Sequence, residues 1–140
     1  MIVTPPSGVP CSTEVAMAPL SLDRQRLIIG VLVTVGGEVD ATNAPHLEAY
    51  LRQEILPGEP LVLDLGALTF MDSSALNVLI RLDAALREQN TTLRLAAVSD
   101  VPARVLQITG VWSALHIHPS VEEAIAALLA EHTAAPAGLA

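Results

Sequence analysis

Residues 61–76 read LVLDLGALTFMDSSAL: a nearly unbroken apolar run, a short turn, then an acid and two hydroxyls at the start of a second apolar pattern. Leu61, Val62, Leu63 and Leu65 are apolar on both alternations, which marks a strand covered on both faces, with Asp64 the one interruption. After Phe70-Met71 the period changes, and Leu76, Leu79, Ile80 and Leu86 recur at helical intervals. Asp72 falls where a helix N-cap belongs, its carboxylate placed to accept from first-turn N–H groups. Ser73 and Ser74 then open the helix beside unpaired N–H groups and the positive end of the helix dipole. That setting favours an added phosphate over a neutral side chain. Asp and Ser also begin helices for capping alone, so spacing by itself leaves two roles open: a pure cap, or a cap that carries a modified serine.

Working outward from this stretch, β-branched and apolar residues predict a strand over 27–35, ended by Gly36-Gly37. Asn43 or Thr42 should cap a helix running to about residue 54, with Pro45 tolerated in its first turn, where the missing N–H would be unpaired anyway. Pro57-Gly58 ends the connection to the strand at Leu61. Beyond it come a helix over 73–89, a strand over 92–98, a helix opened by Pro102 and closed by Gly110, a short strand over 115–117, and a helix from Pro119 to about residue 130. Residues 1–19, rich in Pro, Ser and Thr, read as a flexible segment in which 14–17 could form an edge strand. Residues 20–131 read as one domain and 132–140 as a loose C-terminal tail. Strands alternating with helices imply a sheet whose parallel pairs are joined by helical crossovers, an α/β architecture.

A chain of 140 residues suits a single domain that buries a core without cross-links. Hydrophobic residues make up 51% but aromatics only 2%, so Leu, Val, Ile and Ala must build that core. Charged or turn residues break every apolar run short of the ~18 residues that span a bilayer. No basic residue precedes Arg24 and no signal-like segment is apparent, so a cytoplasmic location is expected. Cys11 is alone and has no internal disulfide partner. Seven basic residues against fifteen acidic ones give a net charge of -8, which repels nucleic acid and anionic lipid and suits a partner with a basic surface.

Enzymatic signatures are thin. GxGxxG, GxxxxGK[ST] and GxSxG are all missing, so the usual phosphate cradles and the hydrolase nucleophile elbow are not encoded. His116 and His118 would share one face of a short strand and could begin a metal site, but no cysteine cluster or second close histidine pair completes it. Asp64, inside its strand, reads as structural. Asp40 ends a Gly-flanked strand, where either turn formation or recognition is served.

Phe70-Met71-Asp72-Ser73-Ser74-Ala75-Leu76 resembles the FMDSSGL-type signature of anti-sigma-factor antagonists, the bacterial members of the STAS domain family. Gly37-Glu38-Val39-Asp40 resembles the family's G-E-L/V-D. Ala97-Val98-Ser99, Val105-Leu106 and Thr109-Gly110 are similar to its later strand and helix, and His118-Pro119-Ser120-Val121-Glu122-Glu123-Ala124 to the start of its last helix. The resemblance implies a single STAS-like domain: a small mixed central β-sheet of four to five strands packed with about four helices. It further implies an unphosphorylated protein that binds an anti-sigma factor, itself a serine kinase, with Ser73 as phosphoacceptor and a serine phosphatase restoring the binding form. Asp40, Asp72, Ser73, Ser74 and Ala75 would form the partner-binding surface. Ala75 stands where many relatives have Gly, which would add a methyl at that surface. No cofactor or metal belongs to this reading, and ATP is a cosubstrate of the partner only. The same family implies an alternative, an accessory subunit of a lipid or anion transport complex.

Overall fold

The computed structural model describes residues 19–139, with side chains as far as Glu131; the edge strand anticipated at 14–17 and Cys11 lie outside the described residues. In chain order the elements are β1 (Ser21–Arg26), β2 (Val31–Val39), α1 (Ala44–Glu54), β3 (Leu61–Asp64), β4 (Leu68–Met71), α2 (Ser73–Glu88), β5 (Leu93–Ala96), α3 (Asp100–Ile108), a 3-10 turn at Trp112–Ala114, β6 (His116–His118) and α4 (Val121–Leu139). The sheet runs β1-β2-β3-β5-β6, with β4 also paired to β2. Among the described residues only the β1–β2 pair is antiparallel; the other pairs are parallel, and α1, α2 and α3 supply the crossovers. The mixed α/β architecture expected from the sequence is therefore present, with six strands among the described residues where four to five were anticipated.

The differences lie in the first half. β1, with the sequence SLDRQR, is a mostly exposed strand without an apolar alternation, so hydrophobic patterning does not reveal it. Its place is held by pairing to β2 and by ion pairs, Arg24 to Glu54 at 2.8 Å and Arg26 to Glu59. β2 does not stop at Gly36-Gly37. It runs on to Val39, pairing with β3 through Val31–Thr34 and then, on the same edge, with β4 through Gly37–Val39. The register shifts between Gly37 and Glu38, and Gly37 sits at φ 89°, so the glycines form an irregularity inside a strand and not its end. The Gly37 N–H donates to the Ala67 carbonyl at 3.0 Å and the Thr69 hydroxyl to the Gly37 carbonyl at 3.1 Å, which stitches β4 across the bend. Asp64 turns the chain between β3 and β4 by accepting from the Gly66 N–H at 3.0 Å.

Burial divides the sheet. Val31, Val33, Val35, Leu61, Leu63, Leu93 and Leu95 face the main core, against Leu47 and Leu51 of α1, Leu79, Leu82 and Leu86 of α2, and Leu106 of α3. The opposite face is covered by α4, where Val62 and Ala96 meet Ala124 and Leu128, with Leu32, Ile29 and Val121 at the margins. Both faces of β3 are thus dry, as its near-continuous apolar sequence requires. Among the described residues no helix is long and apolar enough to cross a membrane.

Gly37→Ala forces a Cβ into the left-handed region at the bend and should cost about 1–2 kcal/mol in urea unfolding with an unchanged denaturant slope. A neutral outcome would mean that the bend does not depend on the glycine.

Candidate functional site

Val39 of β2 and Met71 of β4 are register partners on parallel strands. The next residues, Asp40 and Asp72, therefore leave the sheet side by side on strands roughly 5 Å apart. Each acid organises the start of a helix. Asp72 is the N-cap of α2, and its Oδ1 accepts from the Ser74 N–H at 2.9 Å and the Ala75 N–H at 3.3 Å. Asp40 accepts through Oδ1 from the Thr42 N–H at 2.9 Å and the Thr42 hydroxyl at 2.5 Å, while its own N–H donates to Asn43 Oδ1 at 2.9 Å. The Thr42 hydroxyl, and after it the Thr42 N–H, holds the Asp40 carboxyl below the usual carboxylate range, so the acid stays ionised. Asn43 occupies the N-cap position of α1 but caps differently from the expectation. Its side chain reaches back to Asp40 and, through Nδ2, to the Glu38 carbonyl at 2.9 Å, and it makes no bond to a first-turn N–H.

Ser73, the first residue of α2, is exposed, and among the described residues no hydrogen bond engages its hydroxyl. Ser74 is half-buried beside it. Asp40, Asp72, Ser73 and Ser74 thus come together at one end of the sheet. Ala75 does not join them as expected: it is 3% exposed, its backbone N–H is taken by Asp72, and its methyl lines an interior space with Val39, Leu47, Leu65, Met71 and Leu79. The methyl that replaces glycine is therefore a core contact and not a surface feature, because the third helical residue after an N-cap already points back toward the sheet.

Beside this cluster α1 and α2 frame a groove of about 280 Å³ lined by Ala41, Ala44, Pro45, Glu48, Ser74, Asn77 and Arg81. Its floor is an ion pair across the two helices, in which Arg81 donates to Glu48 through NH2 at 2.8 Å and Nε at 3.1 Å, with Arg52 joining from the next turn of α1. The Arg81 guanidinium holds the Glu48 carboxyl below its ordinary value, and the arginine is raised in turn. Sequence reading missed the groove, although the polar run Ser73, Asn77, Arg81 at four-residue intervals marks one helix face. Phe70, 40% exposed on β4, adds an apolar surface two residues before Asp72.

The histidine pair is placed elsewhere, on the α4 side of β6. His118 Nε2 is engaged by Arg94 at 3.0 Å, and among the described residues no group of three metal-ligating side chains assembles.

With this sheet order, the twinned helix starts and the Asp-Ser-Ser turn, residues 21–124 match the STAS domain family, and the chain belongs to it. An anti-sigma-B factor antagonist of Staphylococcus aureus is 31% identical over 91 residues, which span 64% of this chain and 84% of that protein. The crystal structure of an anti-sigma factor antagonist from Mycobacterium paratuberculosis superposes with a TM-score of 0.68 at 26% identity, covering 78% of this chain and 93% of the other. SpoIIAA in its unphosphorylated form has the same fold, with a TM-score of 0.66 at 19% identity over 79% of this chain and 97% of its own.

Asp72→Ala removes the cap and should lower stability by about 0.5–2 kcal/mol, whereas Ser73→Ala, at an exposed hydroxyl, should stay within about ±0.5 kcal/mol in the same denaturation. A larger loss for the serine variant would show that its hydroxyl is structural.

Proposed function

We propose that the chain is an anti-sigma-factor antagonist that acts by binding, and that Ser73 is the residue through which binding is switched. The observation that carries this reading is an exposed serine with an unengaged hydroxyl, held at a capped helix start beside Asp40 and Asp72 and next to a groove. In the unphosphorylated form the protein binds an anti-sigma factor that is also a serine kinase, and the sigma factor is released. Asp40, Asp72 and Ser74 frame the contact, with Phe70 and the α1–α2 groove extending it. The kinase transfers the γ-phosphoryl group of ATP to the Ser73 oxygen, ADP departs and the hydroxyl proton is lost; a serine phosphatase reverses the step by hydrolysis. The whole cycle belongs to the cytoplasm.

A phosphoserine adds about -1.5 to -2 charge at neutral pH. The N–H groups opening α2 tolerate that charge locally, so the fold survives. A partner packed against a neutral serine must instead desolvate it next to Asp72 and Asp40, and burying an unpaired charge costs several kcal/mol. The homologues named as anti-sigma-B factor antagonists support this role over that of an accessory subunit in a lipid or anion transport complex.

Incubation with the cognate kinase and ATP should place one phosphate on Ser73, read by phosphopeptide mass spectrometry; labelling chiefly at Ser74 would overturn the assignment. Calorimetric titration against the anti-sigma factor should show at least a roughly tenfold loss of affinity on phosphorylation, about 1.4 kcal/mol, with little change in far-UV circular dichroism. Ser73→Ala should bind and fail to switch off. Equal affinities of the modified and unmodified proteins at one ionic strength would make the chain a scaffold.

A further inference from the structure

Arg94 lies in the middle of the sheet face that α4 covers. It is 4% exposed, the one charged side chain among the buried described residues. Its NH2 is paired with Glu131 of α4, its NH1 lies 3.0 Å from His118 Nε2, and its Nε finds no acceptor among the described residues. A guanidinium can only donate, so His118 must accept at Nε2. That fixes a neutral ring with its proton on Nδ1. Among the described residues the apolar contact that holds α4 is Ala124 and Leu128 on Val62 and Ala96, with Val121, Ile29 and Leu32 at the margins, and this polar cluster adds a charged tie to it.

From this geometry we infer that Arg94, His118 and Glu131 form an acid-releasable latch, which holds α4 on the sheet while His118 is neutral and loosens it when the ring takes a proton. A protonated ring turns a second donor toward Arg94 and sets two cations at hydrogen-bond distance in a half-buried site. Among the described residues the groups that face His118 are Arg94 of β5, His116 of β6, and Glu123 and Glu131 of α4. Burial first, then Arg94, then His116 hold its pKa below the ordinary histidine value, and the two glutamates only partly offset them. The sign follows from linkage. Arg94 and His116 stay beside His118 on the sheet whether or not α4 is docked, so release removes the burial that α4 adds, which disfavours the charged ring, together with Glu123 and Glu131, which favour it. Burial is the largest of these causes, so the docked state is favoured while the ring is neutral and progressively less as the pH falls through the range in which the released ring protonates. Neither Ser73 nor its neighbours take part, so this control would act on the opposite face of the sheet from the main core.

Native-state hydrogen exchange of the full chain at pH 7.5 and 5.5, corrected for intrinsic rates, reads the opening directly; pH 5.5 stays above the ordinary carboxylate range. Between the two values the opening constant of α4 amides should rise several-fold while α2 amides keep their protection. His118→Gln, which can still accept from Arg94, should flatten the response, and His116→Gln should leave it. On the unaltered protein, nitrogen NMR of the His118 ring should show the Nδ1–H tautomer and a titration midpoint below 6.5. A midpoint at or above that value, the other tautomer, pH-independent protection of α4, or an equal response from all helices would each overturn the latch.

Discussion

The structure depends on one edge of β2 being paired twice. Its first half takes β3 and its second half takes β4, and the bend at Gly36-Gly37 lets a single nine-residue strand serve both. Without the second pairing, β4 would be an unpartnered turn and α2 would start at no fixed place. With it, the Val39–Met71 register brings two strand ends level, and each delivers an aspartate into the turn that follows. Two helices therefore begin together, and the surface between them is set by backbone hydrogen bonds and not by flexible side chains. Asp40 and Asp72 complete the arrangement through backbone and hydroxyl donors within three residues of each, so the local geometry is fixed once the strands are paired.

That construction separates two properties that often conflict. The capping acid is structural, while the serine beside it is bonded to nothing among the described residues and is free to change chemistry. The helices behind it are tied by Leu47, Leu51, Leu79 and Leu82 in the core and by the Glu48–Arg81 pair at the surface. Charge added at Ser73 meets a frame already held from both sides. On the proposed role its effect would be expressed outward, at a partner packed against the α1–α2 groove, because the inward path is closed by buried aliphatic side chains.

Much of this was legible in the sequence. The Leu61–Leu65 run, the switch to helical spacing after Met71 and the cap at Asp72 appear in the fold nearly as read, because each rests on local physics: dry faces, periodicity, and an acid at unpaired N–H groups. What escaped was set by distant pairing. β4 is four residues between Gly66 and Asp72, too short for alternation to declare it, and it exists because β2 offers an edge. β1 carries charges because its side chains face solvent and ion partners on α1 and its following loop. Gly36-Gly37 looked like a stop because glycine marks turns and strand irregularities alike, and only the partner strand distinguishes them. Ala75 was misplaced by one helical direction, since a residue two after an exposed serine had already rotated onto the core side. The groove fell between two elements that sequence reading treats singly.

The way Ser73 is held also limits how any enzyme can reach it. The preceding residues are hydrogen-bonded into β4, and the following turn is fixed by the Asp72 carboxylate, so the serine cannot be drawn out as an extended strand without dismantling both. A linear peptide of the same seven residues would offer the hydroxyl but neither the neighbouring acid from β2 nor the helical start. On the switching role proposed for Ser73, the kinase's substrate would be a tertiary surface, and its recognition would double as a check that the domain is folded, with nascent or damaged copies that display the same residues passed over.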